Sequence, residues 1–524
     1  MTVRTFFIVL GFVVGPMFVA PAWADCTPSG SGLPAYTCAS GSTSAQVQSA
    51  INRAADGVVI TFANGTYSLS NVGLSARNGV TLICATVGGC TINSGGDVFV
   101  IGDDNCSSTK TNLMRISGFN FTGTAGSGKK LFLWCNFNVT KLRIDHNDFA
   151  DIGGGNIAIL IGAGSDTGRI YGVIDHNNCH GSSNFMCMKN ISGGQTWVTG
   201  SQGSGNSLFF EDNVCSFNSM TDFGTGCIDV WRANSTVVRF NTFTNGAVRA
   251  HSYCHEGPMN FEVYGNVIST PNGVAPGYRN IHFQGSGEQV VFNNTLSPVS
   301  PNGNPILEMQ HFRGDPSTAT NEGACNSLAD GTVSGSGINA ANAKDGNRSP
   351  TTTYRGYPAW HQPGRDAAAT LKPTYAFMNK MSTGTRVDLL MSSGGYAPIH
   401  EQSNRDYYNA VSATGQTSPT SPFNGSVGVG FGTLANRPTT CTPTSEALDA
   451  GNGGVGYWAT DQGNWNTSTS NPFGVQQNGA SGVLYRCNAT NSWTLHYTPY
   501  TYPHPLQAGA LSVPSTPTGL RIIG

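Results

Sequence analysis

The chain has 524 residues, of which 11% carry a formal charge, and its net charge at pH 7 is −2. This balance excludes a protein that holds nucleic acid or an acidic membrane surface by bulk electrostatics. Glycine accounts for 68 residues, and apolar residues recur in short β-branched runs. The composition therefore favours many short strands joined by polar turns over a disordered chain.

Residues 1–24 are typical of a secretory signal peptide. Arg4 precedes an apolar run, and Ala22-Trp23-Ala24 fits the small-x-small cleavage pattern, so we expect cleavage after Ala24. The run is short for a membrane span of roughly 20 apolar residues, and we expect no other stretch to be apolar enough to span a membrane. All 14 cysteines follow this site, and in an exported chain an even number favours disulfides over metal ligation. We expect a secreted or periplasmic monomer that binds no nucleic acid.

The first predicted element is an N-terminal capping helix in the stretch SAQVQSAINRAADG. Val47 and Ile51 are four residues apart, Ser44 is the expected N-cap, and Gly57 lies just past the end. A strand, VVITFANGTYSL, follows. The helix precedes the first segment that alternates between apolar and polar residues.

Six later segments share an alternating apolar pattern that leads to an asparagine, at intervals of 25 to 36 residues. Alternation makes each segment a strand with one buried face, and a repeat of this length is one coil of a solenoid. Equivalent asparagines would stack about 4.8 Å apart and bond their neighbours. The sequence therefore predicts an all-β fold, a parallel β-helix with an asparagine ladder. The ladder residues are Asn147, Asn177, Asn213, Asn241, Asn266 and Asn294, with Phe119 in the same slot of an earlier segment.

The helix, the strand after it and the turn Gly65-Thr66-Tyr67 resemble the opening of the pectin-lyase-like superfamily of right-handed parallel β-helices. The resemblance covers roughly residues 40–345 and implies a right-handed parallel β-helix domain over residues 25–345. The superfamily includes lyases, hydrolases, epimerases and non-catalytic binders, so the resemblance leaves the activity open.

After about Lys344 the repeat stops. We expect residues 346–440 to form an irregular Pro/Ser/Thr-rich segment that packs on the β-helix. We expect residues 441–524 to form a small aromatic-rich β unit, closed by a disulfide between Cys441 and Cys487. One interpretation is a cap that covers the open end or side of the solenoid. The alternative is an exposed platform on which sugars stack. Its members would be Tyr457, Trp458, Trp465 and Trp493.

A second row of strands follows the ladder asparagines. With apolar residues inward, its polar residues point outward on adjacent coils and form one column on one face. Such a collection of Arg, His and Trp in a charge-poor chain favours a functional strip for an elongated polar polymer over an ordinary solvated face. The expected members are Lys189, Asp229, Trp231, Arg249, His251, His282, Glu308 and Gln310, with Arg232, Tyr253, His255 and Glu256 from the adjoining loops.

Two reactions could use this strip. In β-elimination from a uronic-acid polymer, a cation neutralises the C6 carboxylate, a base removes the C5 proton and an acid protonates the leaving oxygen. In glycoside hydrolysis two carboxylates flank the bond, and Asp229 with Glu256 or Glu308 are the candidates. The elimination candidates are Arg249 or Arg232 as cation, His251 or His282 as base, and Tyr253 or His255 as acid.

We expect a protein that acts on an extracellular polysaccharide, with elimination ahead of hydrolysis because cationic and imidazole groups outnumber carboxylates in the strip. The Arg-x-Pro-x-x-Arg element of pectate lyases is absent, and the ordered set of polygalacturonase elements is incomplete. A non-catalytic polysaccharide-binding or surface protein is the alternative from another class. No metal site is predicted. Calcium remains open as a lyase cofactor, with Asp103, Asp104 and Asp222 as oxygen ligands.

Overall fold

Three long sheets wind around one apolar core, because each coil of the chain adds one strand to each sheet in turn. The strands stack parallel and in register, so the predicted parallel β-helix is confirmed. The predicted signal peptide lies outside the described residues. The computed structural model describes residues 26–29, 35–102, 108–123, 129–150, 152, 156–162, 168–181, 185–192, 202–218, 226–232, 234–251, 258–270, 279–283, 287–297, 307–310, 363–365, 370–391, 402–411, 417–418, 421–444, 450–468 and 481–508.

Sheet 1 has 13 strands, of which the first two pair antiparallel and the rest parallel. Its strands are Cys26–Pro28, Ala35–Cys38, Val58–Phe62, Val80–Cys84, Met114–Ser117, Val139–Asp145, Ile170–Asp175, Leu208–Glu211, Ser235–Arg239, Asn260–Tyr264, Glu288–Phe292, Thr374–Phe377 and Tyr407–Asn409.

Sheets 2 and 3 each have 10 strands. Sheet 2 consists of Gly65–Tyr67, Cys90–Asn93, Phe119–Thr122, Asp148–Ala150, Asn178–Gly181, Val214–Phe217, Thr242–Thr244, Val267–Ser269, Thr295–Leu296 and Lys380–Met381. Sheet 3 consists of Val72–Gly73, Phe99–Ile101, Leu131–Trp134, Ile157–Gly162, Met186–Ile191, Ile228–Val230, Val248–Ala250, Ile281–Phe283, Leu307–Met309 and Leu390–Met391.

The helix Ser44–Arg53 covers the N-terminal end of the solenoid. Its N-cap is Thr43, which forms a capping box with Gln46, so the predicted N-cap at Ser44 is wrong by one residue. Gln48 bonds both backbone groups of Gly73, donating to the carbonyl at 3.0 Å and accepting from the amide at 2.7 Å. The helix therefore bonds backbone groups of an edge strand of sheet 3. Left unpaired, these groups could hydrogen-bond to a strand of another chain.

The asparagine ladder is present at the turn between sheets 1 and 2. Asn213 is representative: its Nδ2 donates to the carbonyls of Ile174 and Glu211, both at 2.9 Å, and its Oδ1 accepts from the amide of Asn177 at 2.9 Å. The amide of Phe119 donates to Asn147 Oδ1 in the same way. Each ladder side chain thus satisfies buried backbone groups of two neighbouring coils.

The solenoid continues beyond residue 345, the predicted boundary. Asn379 accepts from the amide of Asn294 at 3.1 Å and extends the ladder by one coil. An interval of 85 residues separates these two asparagines. Because the other ladder asparagines are 25 to 36 residues apart, the repeat pattern in the sequence did not identify Asn379. The strands of this extension are Thr374–Phe377, Lys380–Met381, Leu390–Met391 and Tyr407–Asn409.

The C-terminal unit covers the outer face of sheet 1. Its four-stranded sheet packs outward aromatic residues of the solenoid against its own, and Trp458 lies 4.9 Å from Phe292 and 5.1 Å from Phe377 between ring centroids. The sugar-platform interpretation is therefore wrong for Tyr457, Trp458 and Trp465, which are buried. The strands of this four-stranded sheet are Val429–Gly432, Gly456–Ala459, Val483–Ala489 and Ser492–Tyr497. The remaining elements are the strand pair Thr417–Ser418 and Ser421–Pro422, the 3₁₀ helix Leu434–Asn436 and the short helix Pro505–Ala508.

Five disulfides connect described cysteines, including Cys441 with Cys487 as expected. Disulfides at this density are typical of an oxidising, extracellular environment. Within the described ranges, no helix combines the length and apolar character that crossing a membrane requires. The other four disulfides are Cys26–Cys38, Cys84–Cys90, Cys179–Cys187 and Cys215–Cys227.

Replacing Asn213 by alanine should lower the free energy of unfolding by about 3 kcal/mol, because several buried backbone groups lose their partner and each loss costs about 1–3 kcal/mol. Chemical denaturation of the purified protein measures this change. Asn206→Ala is the matched control, since Asn206 is exposed. Equal unfolding midpoints for the two variants would contradict a stabilising ladder.

Trp458→Ala should cost about 3–5 kcal/mol of stability, because it empties a buried aromatic site between the C-terminal unit and sheet 1. Trp493→Ala should cost clearly less, since Trp493 is only partly buried. Thermal unfolding of the two variants gives the comparison. If Trp458→Ala instead left stability intact, the packing of the C-terminal unit on the solenoid would be refuted.

Candidate functional site

Five residues form a continuous column on the outer side of sheet 3. Neighbouring strands pair Lys189 with Asp229, Asp229 with Arg249, Arg249 with His282, and His282 with Glu308. The flanking apolar residues, among them Ile228 and Val248, are buried inside the solenoid. Alternation therefore forces the polar residues outward, and the register sets them side by side, about 4.8 Å apart along the solenoid axis.

The column is not an open solvated face. Asp229, Arg249, His282 and Glu308 are buried. Lys189 keeps 19% and His251 keeps 14% of the side chain exposed. Ionisable groups at this depth require partners, because burying an isolated charge is costly. Lys189 and His251 are the most exposed of these residues, and Arg249, at 8%, is the most exposed of the four buried ones.

Trp231 connects the residues at one end of the column. Lys189 Nζ lies 3.7 Å from the centre of the indole ring, and the indole Nε1 donates to Asp229 Oδ2 at 2.5 Å. The His251 ring meets the indole edge to face, with centroids 4.5 Å apart, and its Nδ1 lies 3.8 Å from Asp229 Oδ1. Asp229 and Trp231 together fix the positions of the cation and the imidazole.

Burial shifts the pKa values of Asp229 and Lys189 at this end of the column. It raises the pKa of Asp229 against the opposing effect of Lys189 and Arg249. It also lowers the pKa of Lys189, although Asp229 opposes that shift. Both shifts favour the neutral forms and bring the two groups closer to the range in which they exchange protons.

At the other end, His282 Nε2 lies 3.1 Å from Gln310 Oε1 and 3.5 Å from Glu308 Oε2. Burial, followed by the charges of Arg249 and Arg279, lowers the pKa of His282 well below its usual value. Arg279 donates to both carboxylate oxygens of Glu308. Sequence reasoning missed Arg279, and its place three residues before His282 does not match the alternation that identified the column.

The two carboxylates of the column are far apart. Three strand spacings separate Asp229 from Glu308, which is about 14 Å along the axis. Retaining hydrolysis needs about 5.5 Å and inverting hydrolysis about 6.5–9.5 Å between carboxylates. The structure therefore does not bring this pair to hydrolytic spacing.

Several predicted participants fall elsewhere. Arg232 follows Trp231 in a left-handed turn with φ of 66° and lies outside the in-register column. Within the described ranges, no group of three or more His, Cys, Asp or Glu side chains is arranged to hold a metal ion. Outside the described residues lie the loop candidates Tyr253, His255 and Glu256 and the calcium candidates Asp103, Asp104 and Asp222.

The same outward row continues toward the N-terminus with aromatic residues. Phe132 and Trp134 occupy alternate positions of the strand Leu131–Trp134 and are partly exposed. The Trp134 ring lies across Gly162, where an added Cβ would stand 2.4 Å from Trp134 Cε3. Sequence reasoning missed these two aromatic residues. They alternate with the buried Leu131 and Leu133, and this alternation could have identified them as outward-facing.

Comparison of the sequence with protein-family models and with curated proteins gave no match.

His282 generates a pH dependence of stability. The unfolded chain protonates this histidine below about pH 6.5, whereas the fold keeps it neutral because burial lowers the pKa of His282. The unfolded state then binds more protons, so stability falls as the pH drops below about 6.5, by about 1.4 kcal/mol per pH unit for each such group.

His282→Gln should therefore reduce the loss of stability between pH 6.5 and pH 5, measured by urea denaturation at each pH. His176→Gln is the matched control, because hydrogen bonding to Asp175 raises the pKa of His176 and reverses the sign of its contribution. A wild-type slope in His282→Gln would show that His282 is protonated in the fold.

Proposed function

We propose that the chain is a secreted member of the pectin-lyase-like superfamily that cleaves a uronic-acid polysaccharide by β-elimination on the outer face of sheet 3. The observation that carries this proposal is the column itself, which sets Lys189 and Arg249 on either side of Asp229. The two basic residues would attract a polymer that carries one carboxylate per sugar. The spacing of Asp229 from Glu308 favours elimination over hydrolysis by that pair.

The roles follow from exposure and position. Arg249 neutralises the C6 carboxylate, which makes the C5 proton more acidic. His251, partly exposed and adjacent to Arg249 on the same strand row, removes that proton. The C4–O bond then breaks, a C4–C5 double bond forms, and an acid protonates the leaving oxygen. Tyr253 and His255 remain the predicted acids for this step.

His282 is assigned a positioning role rather than that of the base. It is buried and its pKa lies well below the usual value, so it remains neutral beside Arg249. A neutral imidazole near Arg249 and Arg279 adds no further positive charge to theirs. Gln310 fixes the ring through the contact with Nε2.

The aromatic residues of the row extend the proposed binding strip. Trp134 stands about 14 Å from Trp231 along the axis, since three strand spacings separate the two. Indole faces at such intervals suit stacking against successive parts of a sugar chain. The strip would thus combine apolar contacts at one end with carboxylate recognition at the other.

Incubation of the mature protein with uronic-acid and neutral polysaccharides tests the proposal. Elimination creates an unsaturated product that absorbs near 235 nm together with a new reducing end, so both signals should rise with a uronic-acid polymer. Arg249→Ala and His251→Ala should each reduce the rate at least a hundredfold, the usual contribution of one positioned catalytic group.

Arg386→Ala and His180→Ala are the matched controls, because both side chains are exposed and lie outside sheet 3. Their rates should equal that of the wild type. Reducing ends without absorbance would mean hydrolysis and move the assignment to Asp229 with Glu256. Unchanged activity in Arg249→Ala would reject the column as the active site.

A non-catalytic polysaccharide-binding protein is the second candidate. The partly exposed Phe132 and Trp134 favour it, because stacking needs no reactive group and these rings lie on the same row as the cations. In the same incubation, binding of a polymer without either product signal would support this function. Loss of that binding in Arg249→Ala would keep the site and discard the reaction.

A further inference from the structure

A second site lies where the C-terminal segment crosses the turn between sheets 1 and 2. A cavity of about 420 Å³ opens there, lined on the solenoid side by His176, Asp212, Val214 and Thr242, and on the C-terminal side by Tyr502 and Gln507. This volume is within the range of small-molecule sites, about 300–1,000 Å³. The cavity is on a different part of the solenoid from the column of sheet 3.

The polar groups of the cavity are only partly used by the protein. Tyr502 donates to Asp212 Oδ1 at 2.7 Å, and Gln507 Nε2 donates weakly to Oδ2 at 3.4 Å, which leaves each carboxylate oxygen with capacity for a further donor. His176 Nδ1 lies 3.0 Å from Asp175 Oδ2, which leaves Nε2 as the ring nitrogen available to a ligand. Asp212 Oδ2 and His176 Nε2 therefore offer an acceptor and a donor across one opening.

The charged groups that line the cavity limit the net charge of a ligand that could bind there. An anion would meet the Asp212 carboxylate, and a cation would meet His176, whose pKa is raised by its hydrogen bond with Asp175. A neutral ligand with several hydroxyl groups avoids both conflicts, because a hydroxyl can donate to the carboxylate and accept from the imidazole. The exposed Val214 adds an apolar surface for the C–H face of a ring.

We propose that this cavity binds a neutral hexopyranose unit, separately from the strip on sheet 3. The bound sugar would bridge the solenoid turn and the C-terminal segment, since both supply polar contacts. The proposal does not depend on cleavage of a polymer. It concerns a neutral sugar, whereas the column of sheet 3 is assigned to a uronic acid.

Calorimetry and saturation-transfer NMR of the mature protein with the methyl glycosides of glucose, galactose and mannose test this site. At least one of them should bind, and sodium glucuronate and galacturonate should bind at least tenfold more weakly at this site. Val214→Arg should reduce binding of the neutral sugar at least tenfold by filling the opening. Val427→Arg is the matched control, because Val427 is exposed to 47% against 45% for Val214.

Asp212→Asn provides a second variant that keeps the size of the side chain while removing its charge, and it should weaken binding as well. Equal affinity in Val214→Arg and Val427→Arg would overturn the proposal, as would the absence of neutral-sugar binding in the wild type. Uronate binding that exceeds neutral-sugar binding and is lost in Val214→Arg but kept in Val427→Arg would also overturn it. These measurements detect no cleavage product, so their outcome is independent of the lyase assay.

Discussion

In-register stacking of the coils, maintained by the asparagine ladder, is the constraint on which the rest of the structure depends. Each ladder amide bonds the backbone of neighbouring coils, so equivalent residues of successive coils meet at about 4.8 Å. Any polar residue that alternation directs outward is therefore placed against the same position of the next coil. Whether a column contains like or opposite charges therefore depends on which residues occupy the equivalent position of successive coils.

Sheet 1 shows how the chain accommodates like charges in such a column. Asp145, Asp175 and Glu211 stack on three successive strands, and each forms an ion pair with an arginine of an adjacent coil. Burial opposes ionisation of Asp145, but hydrogen bonds from Arg115 and His146 and the charge of Arg143 hold its pKa well below the usual value. Arg143 and Arg239 also donate to carbonyls of residues 500–507, so the same charges attach the C-terminal segment.

The features that repeat along the chain were predictable, and those that depend on distant parts of the chain were not. Alternation and the asparagine positions predicted the ladder and the placement of Lys189 and Arg249 in one row. The extra coil at Asn379 was hidden because 85 residues separate it from Asn294. Alternation shows only which way a side chain points, so it could not reveal that His282 is buried or that the C-terminal unit covers Trp458.

The two charged columns differ in the groups that complete the bonding of their side chains. On sheet 1 the arginines bond carboxylates and C-terminal carbonyls of the same chain, beneath a covering unit, so their bonding capacity is spent within the fold. On sheet 3, Lys189 and His251 keep part of their surface in solvent beside the Trp231 indole. Asp229 lies beside both groups, and burial raises the pKa of Asp229 and lowers that of Lys189. One stacking rule thus produces a fully covered charged column on one face and a column beside partly exposed charged groups on another.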